Sequence, residues 1–73
     1  MLSSIELVQQ VLAEAQQEVE IRAGRVVLQS RIPMGDPARM YLIRVFVDVD
    51  RKPAEVVTVY RTSKVEKYWR NEP

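Results

Sequence analysis

The chain contains neither cysteine nor histidine. Without cysteine there is no disulfide framework and no thiolate nucleophile. Without histidine as well, zinc would have to be held by carboxylates alone, a donor set unlike those zinc sites use. We therefore expect no metal and no cofactor. Apolar runs fall far short of the ~20 residues that cross a bilayer. No basic segment precedes the apolar residues at the N-terminus, as it would in a signal peptide. The expectation is a cytoplasmic protein that does not engage a membrane. No phosphate-binding loop, dinucleotide fingerprint or catalytic triad occurs either.

What remains is small and apolar enough to fold. The 73 residues leave room for a single domain, 1–73. Hydrophobic residues make up 47% of the chain, more than disordered segments carry. Many are valine and isoleucine, which favour strands. The net charge of +1 hides an asymmetry: residues 1–20 carry four glutamates and no base, whereas residues 21–73 carry all eleven Lys and Arg against six acids, a split of −4 and +5. Such a split suits a nucleic-acid surface on one side of the molecule, and equally a solvated helix face opposite a solvated sheet face.

Residues 3–20 read as an amphipathic helix. Ser3 and Glu6 make a capping box, and Leu2 and Leu7 stand at the positions of a hydrophobic staple. Ile5, Val8, Leu12, Ala15 and Val19 recur at helical spacing, with Val11 beside them. Gly24 turns the chain into a first strand, 25–32, with Val26, Leu28 and Ile32 on one face and Val27, Gln29 and Arg31 on the other. Two prolines around Gly35 force a loop. Strand 41–49 follows, with Tyr41, Ile43, Val45, Val47 and Val49 on one face and Leu42, Arg44, Phe46 and Asp48 on the other. Asp50-Arg51-Lys52-Pro53 supplies a turn, and 55–62 is the last strand, with Val57 and Val59 opposite Val56, Thr58, Tyr60 and Thr62. The tail 63–70 can form a short helix capped by Ser63. The expected fold is α+β, one helix on a three-stranded antiparallel sheet. It buries Ile5, Val8, Leu12 and Ala15 against Ile43, Val45, Val47, Val57 and Val59, and leaves the second sheet face to solvent, a ligand or a partner.

That second face carries the candidate chemistry. Pairing of the hairpin strands brings Arg44 and Phe46 near Thr58 and Tyr60, with Gln29 and Arg31 joining from the first strand. Arginine offers a bidentate fork, and hydroxyls add hydrogen bonds, for a phosphate oxyanion. Tyr60 can act as a general acid among cations. Lys64 can act as a base only if its pKa is lowered, and otherwise neutralises phosphate. Lys64, Lys67 and Arg70 combine positive charge with the aromatic planes of Tyr68 and Trp69, a mix that can contact phosphates and stack a base. The same residues also serve an ordinary role, in which Tyr68 and Trp69 dock the tail while the cations reach solvent. Asp48 and Asp50 lie on one side of a strand end, where magnesium can bind paired carboxylates, but their place beside a basic turn favours a structural role.

The segment Tyr41-Leu42-Ile43-Arg44-Val45-Phe46-Val47-Asp48-Val49-Asp50, followed by Glu55-Val56-Val57-Thr58-Val59-Tyr60-Arg61-Thr62-Ser63-Lys64, resembles the C-terminal half of a family of short bacterial proteins of unassigned function, abundant in cyanobacteria. That family looks related to the barnase–EndoU–colicin–RelE-like superfamily of metal-independent ribonucleases and toxins. The resemblance covers roughly residues 21–70. It implies an active face of Arg31, Arg44, Thr58, Tyr60, Thr62 and Lys64, on which a ribose 2′-hydroxyl attacks the adjacent phosphate. Arg44, Tyr60 and Lys64 would be catalytic, with Arg31, Thr58, Thr62, Lys67 and Trp69 binding substrate. RNA and an antitoxin-like protein are the implied partners. Family members usually carry a longer N-terminal helical portion with a histidine, which this sequence does not have. The alternative is a non-catalytic interaction module that uses the same face to dimerise or to bind a partner. A free strand edge and the apolar Val27, Leu42, Phe46 and Val56 point to a homodimer.

Overall fold

In a computed structural model, residues 4–70 are described. Ser3 of the expected capping box and Leu2 of the expected staple lie outside them. The order of elements is α1 (Ser4–Glu14), β1 (Gln17–Arg22), β2 (Arg25–Met34), β3 (Arg39–Asp48), β4 (Glu55–Thr62) and α2 (Val65–Tyr68). The fold is α+β, as the hydrophobic spacing implies, but the sheet has four antiparallel strands in the order β1-β2-β3-β4, not three.

The extra strand comes from what reads as the end of the helix. From Gln17 the chain alternates polar and apolar, with the β-branched Val19 and Ile21 spaced by two, a strand period. Pairing settles the competition: Val19 lies opposite Val27, and Gln17 opposite Gln29. Gln16 fastens the switch from helix to strand. Its backbone N–H donates to Ser30 Oγ at 3.1 Å, and its side-chain Oε1 accepts from the Arg31 N–H at 3.0 Å. Gly24 closes the β1–β2 hairpin with φ +82°. A Cβ there would stand 2.5 Å from the Asp50 carboxylate. The Gly24 carbonyl accepts the Val49 N–H at 2.9 Å, so this turn packs on the end of β3.

The helix packs on β2 and β3. Its centre is Val11, fully buried, against Val26, Ile43, Val45 and Val47, with Val8, Ala15, Leu28, Ile32 and Met34 around them. Two expected core residues fall outside: Ile5 is 71% exposed and Leu12 41% exposed. The shorter helix is centred on Val11, which turns these two side chains away from the sheet. Val57 and Val59, expected beneath the helix, are 42% and 39% exposed, because α1 covers the middle of the sheet and β4 is an edge without a buried side chain. The β3–β4 register shifts between Phe46 and Val47, which pair with Thr58 and Val56. Val57 is the extra residue of a bulge, and Val56 therefore joins the helix side instead of the Thr58 side.

The second face is not open along its length. Val27, Gln29 and Leu42 on it are fully buried, and the C-terminal segment reaches this face, where the Tyr68 carbonyl accepts a hydrogen bond from Gln29. This segment is a single turn of helix shorter than the expected 63–70. Its N-cap is Lys64, not Ser63, and no side chain caps it. The Thr62 hydroxyl accepts the Lys64 N–H at 3.1 Å. Asp48 is committed to structure: it pairs with Arg25 at 2.6 Å and stands 3.9 Å from Arg51. The Arg25 hydrogen bond holds its carboxyl below the ordinary value, and the nearby arginine charges add to this. No described helix is long and apolar enough to cross a membrane.

Candidate functional site

The register places Gln29 opposite Arg44, Arg44 opposite Tyr60, Phe46 opposite Thr58, and Leu42 opposite Thr62. Arg31 follows Gln29 by two residues and shares its face. The six strand residues expected to line one surface therefore do so. Within that surface the side chains form two groups.

The first group is centred on Arg44. Its Nη1 donates to the Tyr60 hydroxyl at 2.5 Å and its Nε to Gln29 Oε1 at 3.0 Å. The guanidinium lies over three rings: Tyr68 at 4.4 Å, Phe46 at 5.1 Å and Tyr60 at 5.6 Å from their centroids. Phe46 and Tyr60 stack at 5.8 Å, and Tyr68 meets Tyr60 edge-on at 6.3 Å. Lys67 completes the group, its Nζ 5.3 Å from the Tyr68 centroid. The positive charge of Lys67 lowers the pKa of the Tyr68 phenol, hydrogen bonding from Lys67 and Tyr60 lowers it further, and Arg44 adds a smaller effect. Among the described residues, neither Arg44 nor Lys67 lies within ion-pair reach of a carboxylate.

The second group surrounds the tail. Arg31 sits 4.0 Å above the Trp69 ring, so one face of Trp69 packs on a side chain of the sheet. Lys64 lies beside an open cavity with Arg31 and Lys67, apart from the Arg44 cluster. Thr62 is engaged by the backbone of Lys64, and Thr58 stands opposite Phe46.

Three residues matter more than the sequence suggests. Gln29 is fully buried and donates to Gln17 Oε1 at 2.8 Å and to the Tyr68 carbonyl at 3.2 Å while it accepts from Arg44. Gln17 holds the far end of the tail: it accepts the Arg70 N–H at 3.0 Å and donates to the Arg70 carbonyl. Tyr68 brings the second phenol. One chain of contacts thus runs from Arg70 through Gln17 and Gln29 to Arg44, Tyr60 and Tyr68. Every buried side-chain polar atom among the described residues has a partner, the condition under which a buried polar network rigidifies its surroundings. The signal for Gln29 was its place in the middle of a valine-rich strand. Gln17 carried none while it read as part of a helix.

Such a constellation can bind an oxyanion between Arg44 and Lys67 and exchange protons through two phenols. No group of three or more acidic side chains able to hold a metal converges among the described residues. Compared with known proteins, the chain matches no family model, no curated protein and no solved structure.

Proposed function

We propose that this face binds RNA and cleaves it by transesterification without a metal, as a toxin-like ribonuclease would. The observation that carries the reading is the Arg44–Tyr60–Tyr68–Lys67 cluster, in which two cations, neither in a salt bridge with a carboxylate among the described residues, share two phenols, one of them with a lowered pKa. In the reaction the 2′-hydroxyl gives its proton to the Tyr68 phenolate as its oxygen bonds to phosphorus. Arg44 and Lys67 stabilise the charge that builds on the phosphorane oxygens. The bond from phosphorus to the 5′-oxygen then breaks, and that oxygen takes a proton from Tyr60. The products are a 2′,3′-cyclic phosphate and a free 5′-hydroxyl. Lys64, apart from the cluster, serves binding and not proton transfer.

The test is incubation of purified protein with RNA in EDTA. Cleavage should persist, yield cyclic phosphate ends, and fall at least a hundredfold in Tyr68→Phe. Its rate should rise with pH and level off below the range of an ordinary tyrosine, because Tyr68 acts as the phenolate and its pKa is lowered. Intact RNA, with no salt-sensitive binding either, would overturn the proposal.

A second reading has its own observation. The edge strand β4 carries exposed Val56, Val57 and Val59, and open apolar edges are templates for pairing. An interaction module, as a homodimer or with an antitoxin-like protein, would use that edge, on the opposite side of the strand from the Tyr60 face.

A further inference from the structure

Beside the Arg44 cluster lies an open cavity of about 640 Å³ whose walls include Arg31, Met40, Lys64, Val65, Glu66 and Lys67. Its size falls within the roughly 300–1,000 Å³ of small-ligand sites. Three cations stand against one carboxylate, so the cavity is net positive. Met40 and Val65 give it an apolar patch. Among the described residues no aromatic side chain lines it, so base stacking is not the basis of recognition. What such a cavity suits is a sugar–phosphate unit: cations for the phosphate, aliphatic surface for the ribose.

Its position gives the inference. Lys67 lines the cavity and also stands beside Tyr68, so the two sites abut at consecutive residues. We propose that the cavity is a subsite for the phosphate next to the scissile one, held by Arg31 and Lys64. This rests on the ribonuclease reading and deepens it: the substrate is a single strand that continues past the cleavage point, gripped by its backbone without regard to base.

Binding of 2′-O-methyl oligonucleotides, which lack the attacking hydroxyl, tests this on the intact chain. A trinucleotide with two internal phosphates should bind about tenfold more tightly than a dinucleotide with one. Its affinity should also fall more steeply with salt, by a slope of about 0.7 for the added phosphate. Lys64→Gln and Arg31→Gln should each shrink the length preference, and the double variant should abolish it together with the added slope. Arg44→Ala should weaken both ligands alike and keep their ratio. Because Arg31 packs on Trp69, tryptophan fluorescence checks that its variant is folded, and Lys64→Gln, at an exposed site, gives an independent reading. A length preference that survives in the double variant would overturn the subsite and leave the cleavage site standing. Failure of the parent protein to bind either ligand would overturn both.

Discussion

Gln29 is the residue whose replacement tells most about this molecule. Its side chain makes three hydrogen bonds while fully buried, to Arg44, Gln17 and the Tyr68 carbonyl. In Gln29→Ala the bond to the charged guanidinium is worth about 1.5–3 kcal/mol and the two neutral ones about 0.5–1.5 each. A water entering the vacated polar space would recover part of this, leaving a net loss of about 3 kcal/mol. Whole-domain stability runs at about 0.05–0.15 kcal/mol per residue, or roughly 4–11 kcal/mol for a chain of this length. The variant should therefore lose much of its margin and melt about 12–24 °C lower, followed by circular dichroism. Gln29→Glu separates structure from charge. It keeps an acceptor for Arg44 but removes two donors and places a negative charge against the guanidinium. RNA affinity should then drop further than in Gln29→Ala, even where the fold is better preserved. Melting of Gln29→Ala within a degree or two of the parent, or parental RNA binding by Gln29→Glu, would refute the reasoning.

Val11→Ala should cost about 2 kcal/mol from lost apolar contact and the cavity left behind, whereas Leu12→Ala, already 41% exposed, should cost well under half of that in the same urea titration. The Arg25–Asp48 pair should give an acid-dependent step in stability. Its contribution is complete above the ordinary Asp value of 3.8 and is lost as pH falls through the lower folded value; thermal melts of Asp48→Asn should lack that step. If β4 mediates self-association, Val59→Lys should convert a dimer at micromolar concentration to a monomer of 8.5 kDa in sedimentation, and a parent protein that stays monomeric would end that reading.

Alternation with period two made the central strands legible, because a one-residue slip would turn Ile43, Val45 and Val47 to the wrong face. The same logic located Arg44 beside Tyr60 and Thr58 beside Phe46. The first strand was hidden because Ala15 and Val19 also fit a helical spacing, and only pairing with β2 decides between the two periods. Val11 and Leu12 are neighbours, and apolarity alone does not say which faces the sheet. Tyr68 could be read as an aromatic near cations. Its meeting with Tyr60 depends on the path of a tail that the Gln17 and Gln29 side chains determine, and long-range hydrogen bonds of that kind leave no periodic trace.

The contact between Gln17 and Arg70 spans 53 positions of the chain. Loops of that length close late, after the local contacts they enclose. This segment, one turn of helix held to the sheet by hydrogen bonds with Gln17 and Gln29, is of the kind that opens before the strands do. The cluster therefore depends on a segment that can lift while the sheet stays whole. Peeling back the last turn would withdraw Tyr68 and Lys67 from Arg44 and Tyr60 without disturbing Val11 or its neighbours. On the ribonuclease reading proposed above, cleavage should fade some degrees before the sheet unfolds, because Tyr68 and Lys67 would already have left the cluster.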